Sequence, residues 1–181
     1  MRAAEKLIAQ RGVENVSIRE IVTEAKQKNE SVLQYHFQNI SGLLAAIHAE
    51  RTEEIRARRA DALEDALNAT ANPSLRTLCK LMVSPAFELG RASKEFRCYI
   101  KAFGHQLALA DTSPLKLARS HGGGGPSGQQ LGNLLRSTLH HLDDDEFLRR
   151  LEAALTLCSA SMYRQARQSN AFRGKQAGSN N

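Results

Sequence analysis

The sequence predicts an all-α fold, a three-helix head on a helical-bundle body, with about nine helices in all. Three observations carry this reading. Apolar residues recur at helical spacing along the chain. No stretch alternates apolar and polar residues between turn dipeptides, as a half-buried strand would. Aromatics make up only 5% of the 181 residues and Trp is absent, so the core must be built from Leu, Ala, Ile and Val. That palette suits helices packed on helices. With 41% hydrophobic and 24% charged residues, the composition is that of an ordinary globular chain.

The elements follow in order. Ala3, Ala4, Leu7 and Ile8 form one apolar stripe, and Gly12 stops that first helix. Ser17-Ile18-Arg19-Glu20 reads as a capping box opening a second helix over 18–25, with Ile18, Ile21, Val22 and Ala25 on its apolar face. A polar stretch from Lys26 to Glu30 leads to a third helix, from Asn29 or Ser31 to Phe37. Ser41 is expected to cap a long fourth helix carrying Leu43, Leu44, Ile47, Ile55, Leu63 and Leu67, ended by Asn72-Pro73-Ser74. Two apolar helices are expected over 74–90 and 94–110, the first kinked or split by Pro85. Pro114 opens a short helix, and Gly122–Gly125 with Pro126-Ser127-Gly128 reads as a surface loop. The last two helices are expected over 128–142 and 144–168, with Asp143 to Glu146 at the positive end of the final dipole. From Ser169 the composition is that of a disordered tail. The expected domains are therefore 1–42 and 43–168, with 169–181 as the tail.

A formal net charge of +6 suits a polyanionic partner. Its distribution is less telling. Residues 1–60 carry ten basic against eight acidic side chains, and 61–181 carry fifteen against eleven, so the surplus is not concentrated in the head. Cys79, Cys98 and Cys158 are widely spaced in apolar surroundings, as small buried hydrophobes are. They form neither a disulfide framework nor a zinc motif. No apolar run approaches the roughly 18 residues that span a bilayer, and the opening residues do not read as a signal peptide. A cytoplasmic location is expected.

Residues 17–37 satisfy the demands of a helix-turn-helix, in which one short helix crosses the DNA backbone and the next enters the major groove. Val32, Leu33 and Phe37 are expected to anchor the second helix. Lys28, Asn29, Glu30, Ser31, Gln34, Tyr35 and His36 are left to face nucleic acid. Asn and Gln can bond adenine through two hydrogen bonds, and Lys can reach guanine or phosphate. Tyr35 and His36 are better suited to phosphates. The competing reading is a helical protein-interaction module without DNA binding, in which these polar residues are merely solvated.

The series Gly12-Val13-Glu14-Asn15-Val16-Ser17-Ile18-Arg19-Glu20-Ile21, then Ala25, Tyr35-His36-Phe37 and Leu43-Leu44 resembles the head of the tetracycline-repressor (TetR/AcrR) family. The resemblance covers residues 3–47. It implies a homodimeric, ligand-responsive bacterial transcription regulator, a repressor, reading a near-palindromic double-stranded DNA operator. A small-molecule effector bound in the body would rearrange the fourth helix and respace the heads. It further implies that Ser17 and Arg19 touch the DNA backbone, that Lys28, Asn29, Ser31 and Gln34 face base edges, and that Tyr35 and His36 lie near phosphates. Three departures stand out. Lys26 occupies the position of the usual turn Gly. Gln38-Asn39-Ile40-Ser41 lacks the phosphate-contacting Lys that often follows the aromatic run. Met1 lies close to the first helix, leaving at most a very short basic arm. Each departure implies weaker non-specific binding.

In the body, Leu134, Leu135, Leu155, Cys158, Met162 and Tyr163 on the last two helices are expected to contribute to a two-fold dimer interface. Met82, Phe87, Phe96, Tyr99, Phe103, His105 and Gln106 are candidate ligand-pocket residues. No catalytic residue, cofactor or metal site is expected. His140 and His141 are adjacent, so on a helix their side chains diverge by about 100°. There is no G-x-S-x-G elbow, no phosphate loop and no H-E-x-x-H motif.

Overall fold

A computed structural model describes residues 1–27, 30–109 and 124–168. Among the described residues the chain is helical throughout, as expected. The elements are α1 (Arg2–Arg11), a short 3-10 turn (Val13–Asn15), α2 (Ile18–Glu24), α3 (Glu30–Phe37), α4 (Ile40–Ala69), α5 (Leu75–Ala92), α6 (Lys94–Leu109), α7 (Gly125–Thr138) and α8 (Asp144–Ala166). The short helix expected at Pro114 and the tail from Ser169 lie outside the described residues.

The stop and start signals act where the sequence puts them. Gly12 ends α1 at φ 84°, its N–H bonding the Ile8 carbonyl at 2.8 Å. Ser17 and Glu20 form the complete capping box of α2. At α4 the cap differs from expectation. Asn39, not Ser41, accepts the Gly42 N–H at 2.9 Å, so the helix begins at Ile40. An Asn side chain two residues earlier satisfies the same orphan donors and starts the helix sooner.

Helix α5 runs unbroken through Pro85, neither split nor interrupted. The ring is fully buried, with Leu81 and Leu78 packed in the core on the two preceding turns, so tertiary contacts outweigh the one backbone hydrogen bond that proline forfeits. Helix α7 starts at Gly125, earlier than the expected Gly128. Gly124 takes the left-handed N-cap conformation and Pro126 sits in the first turn, where its fixed φ favours a helix. The helix stops at Thr138, which leaves His140 and His141 in the following turn with their rings 87° apart. The thiols also depart from expectation: Cys79 is exposed, while Cys98 and Cys158 are only half-buried. Cys79 lies one position from buried Leu78, about 100° around the helix and on the solvent side.

Helix α4, 30 residues long and therefore about 45 Å, threads three core clusters. Its N-terminal turns place Leu43 and Ile47 with Ala4, Ile8, Val16 and Ile21 of the head and Ala102 and Phe103 of α6. Ile55, midway along, packs against a cluster of Phe96, Ile100 and Ala166. Near its end Leu63 joins Leu78, Leu81, Leu131, Leu135 and Phe147. The head is thus not hung on α4 alone, because its own core includes residues of α6.

Candidate nucleic-acid interface

The geometry of the head is set by two turns, one on either side of α3. After α2, the Gln27 N–H bonds the Val22 carbonyl and the Lys26 N–H bonds that of Thr23, both at 3.0 Å. This paired pattern closes a helix through one left-handed residue. That residue is Lys26 at φ 54°, as anticipated from its place at the family's Gly position. After α3, Gln38 is also left-handed, at φ 61°. The Phe37 carbonyl accepts the Asn39 N–H at 2.6 Å, and a Cβ on Gly42 would lie 2.0 Å from the same oxygen. The exit from α3 therefore demands glycine at 42, which was not singled out from the sequence.

Within this frame, Ser31, Tyr35 and His36 are exposed on α3 while Phe37 is half-buried against the head core. Tyr35 is 85% exposed, its ring edge-on to that of His36 with centroids 5.3 Å apart. Two neighbouring aromatic-polar side chains are thereby held at one end of the helix, away from the core. Lys28 and Asn29, and the side chains of Glu30, Val32, Leu33 and Gln34, lie outside the described residues. On α2, Arg19 is exposed. Ser17 is exposed too, but its hydroxyl donates to Glu20 Oε2 at 2.7 Å and accepts the Glu20 N–H at 3.3 Å. Ser17 is thus committed to capping, and its proton is not directed outward.

Charge within the head is largely balanced internally. Arg11 donates to Glu20 at 2.8 Å, Lys6 to Glu24 at 2.5 Å, and Arg51 of α4 to Glu5 at 2.7 Å. The Ser17 backbone N–H and hydroxyl, followed by Arg11, hold the Glu20 carboxyl down at about 2. These pairings explain why net charge was a weak pointer to the head.

The body residues distribute unevenly. Phe96 and Phe103 are buried, and Tyr99 bridges them with ring centroids 5.6 and 5.5 Å away. Burial pushes the Tyr99 phenol up to about 12, and its oxygen is 3.2 Å from His48 Nδ1. Phe87 packs with the Phe96 cluster, whereas Met82 belongs to the cluster around Leu78. Among the described residues the structure thus groups Phe87, Phe96, Tyr99 and Phe103, while Met82 lies in a different cluster. The side chains of His105 and Gln106 lie outside the described residues. An open cleft of about 570 Å³ lies elsewhere, against the head, lined by Met1, Arg2, Lys6, Glu24, Glu50 and Arg51 among others.

Of the expected interface residues, Leu135 is 3% exposed within the protomer. The core around Phe147 has already taken it, so it has no surface to offer a partner. Leu134, Leu155, Cys158, Met162 and Tyr163 are half-buried. Leu157, not singled out for this role, is 69% exposed on α8. On α7, a Cβ added to Gly132 would meet nothing within 4 Å.

A short helix, α2, closed by a left-handed turn at Lys26 and followed by a second short helix, α3, with exposed Ser31, Tyr35 and His36, has the layout of a helix-turn-helix. The family model described as "Bacterial regulatory proteins, tetR family" matches residues 1–47, so the head is similar to the DNA-binding heads of tetR-type transcription regulators. No curated protein and no solved structure matches the chain. Among the described residues no helix is long and apolar enough to cross a membrane.

Proposed function

We propose that the protein is a repressor that binds a near-palindromic operator as a homodimer and is released or modulated by a small ligand held in the body. Residues 1–42 read DNA and residues 43–168 carry the ligand and dimer surfaces, within a bacterial cytoplasm. The observation that carries this reading is the solvent-facing edge of α3, where Tyr35 and His36 stand clear of the core. An exposed phenol and imidazole at the end of such a helix suit phosphates on either side of the groove. Lys28, Asn29, Ser31 and Gln34 take the base edges, with Glu30 alongside. Arg19 approaches the backbone from α2, whereas Ser17 contributes through its cap.

The dimer forms through α7 and α8, as a face shared by both copies. Exposed Leu157 and the open flank of Gly132 support this face, and Leu155, Cys158, Met162 and Tyr163 border it. The ligand lies among α4 to α6, beside Tyr99, with His105 and Gln106 supplying polar contacts. Its entry requires the Phe96-Tyr99-Phe103 rings to part.

Gln34→Ala tests the recognition helix. Binding to an operator selected from random-sequence DNA, followed by fluorescence anisotropy, should weaken by about 1–3 kcal/mol with relaxed preference at one position per half-site. Unchanged affinity and unchanged sequence preference would remove Gln34 from the interface.

A further inference from the structure

The DNA-reading helices reach the body by two routes. One is the covalent run of α3 into α4. The other is α1, whose Ala4 and Ile8 share a core with Ala102 and Phe103 of α6. At the root of α1 the Glu5 side chain is 1% exposed, and its two carboxylate oxygens accept from Arg51 Nε at 2.7 Å and Nη2 at 2.8 Å. Arg51, on α4, donates from its remaining terminal nitrogen to Glu54 at 2.5 Å. Its guanidinium carbon lies 5.8 Å from the centroid of the Phe96 ring on α6. Phe96 is fully buried and contacts Tyr99, which reaches His48 on α4. Three elements, α1, α4 and α6, therefore meet at one guanidinium.

Apolar contacts are non-directional and tolerate sliding. A two-pronged guanidinium–carboxylate pair fixes distance and plane together. Such a buried pair adds little stability over well-packed hydrophobes of similar volume, so its distinctive contribution is angle. We propose that Arg51 is a positioning residue that holds the DNA-binding head at a fixed angle on the body, and that Phe96 of α6 is the lever through which movement in the body reaches it. Displacing the Phe96 ring shifts the guanidinium, and Glu5 carries α1 with it. The consequence for operator binding rests on the function proposed above, but the joint itself is a property of the free protein.

Two readouts separate these levels. Spin labels at exposed Gln10 of α1 and Gln130 of α7, in full-length protein with its three cysteines replaced and diluted with unlabelled protein, report the head–body distance. Anisotropy on selected operator DNA reports function. The Glu5→Leu/Arg51→Met double variant should melt at or above the wild-type temperature, broaden the distance distribution, and bind operator about tenfold more weakly. Arg51→Lys, which keeps the charge but not the fork, should broaden the distribution in the same way. Phe96→Leu, with the ion pair intact, should shift the mean distance. The joint is overturned if both Arg51 variants keep the narrow wild-type distribution, and the lever is overturned if Phe96→Leu leaves the mean unmoved. A double variant that unfolds leaves the decision to Arg51→Lys. A wild-type protein that selects no DNA sequence refutes the proposed function, while the distances still decide the joint.

Discussion

Lys26 and Gln38, at φ 54° and 61°, bracket α3 with two left-handed non-glycine residues. A Cβ in that conformation costs about 1–2 kcal/mol, and glycine returns about 0.5–1 kcal/mol of it through its freer unfolded chain. Lys26→Gly is therefore expected to stabilise the protein by about 0.5–1 kcal/mol in urea unfolding. The Lys26 strain was legible, because the position was recognised as one that ordinarily holds glycine. The Gln38 strain was not, since it arises from how α3 meets α4. The Ser17 cap gives a pH-dependent prediction. Glu20 titrates at about 2 when folded, below its ordinary 4.5. Its contribution is therefore complete above about pH 4.5 and is lost as pH falls toward 2. Ser17→Ala should destabilise the protein by about 1 kcal/mol at pH 7, lowering its melting temperature. The gap from wild type should narrow on acidification through that window. A constant gap would mean that the Ser17 hydroxyl does not hold Glu20 down beyond what the backbone N–H of residue 17 does.

At the scale of elements, the helix-turn-helix and the long α4 were readable because caps and apolar spacing act locally. Gly12, Ser17 and Glu20 do what their residue types dictate. The Glu5–Arg51 pair was missed although it left a trace. Arg51 is the one charged member of the row Leu43, Ile47, Arg51, Ile55 at four-residue spacing, and Glu5 follows the core residue Ala4. The body was less legible. Leu134, Leu135 and Leu139 all suit an apolar face, and periodicity cannot say which of them a neighbouring helix has already covered. Aromatics at helical spacing likewise mark a core as readily as a pocket, and Phe96 and Phe103 are both buried. The junction of α3 and α4 carries the sharpest element-scale prediction. Gly42→Ala gains helix propensity but drives a methyl onto the Phe37 carbonyl at 2.0 Å. The clash wins, costing about 1–3 kcal/mol as overpacked sites do, and α3 is displaced. Lower thermal stability together with lost operator affinity checks this; a stabilised Gly42→Ala protein would contradict it.

Across the whole molecule, one long helix passes through three cores and leaves the DNA-facing surface at one end and the exposed Leu157 face on the body. A rigid head on such a frame can have its spacing from a second head set by the body, which is how a change in helical packing becomes a change in DNA affinity. Internal pairing of the head's charges limits the sequence-independent attraction to phosphate, so discrimination has to come from contacts along α3. The most direct test of the account is selection of bound sequences from random DNA by the purified full chain, followed by anisotropy on the winner across salt. The account predicts an inverted repeat with half-site centres about 34–36 Å apart or a multiple of that. Binding should exceed that of scrambled DNA by at least about 10³-fold and weaken as salt rises, though less steeply than for a head with many free cations. Failure to enrich any sequence, or equal affinity for selected and scrambled duplexes, would contradict it.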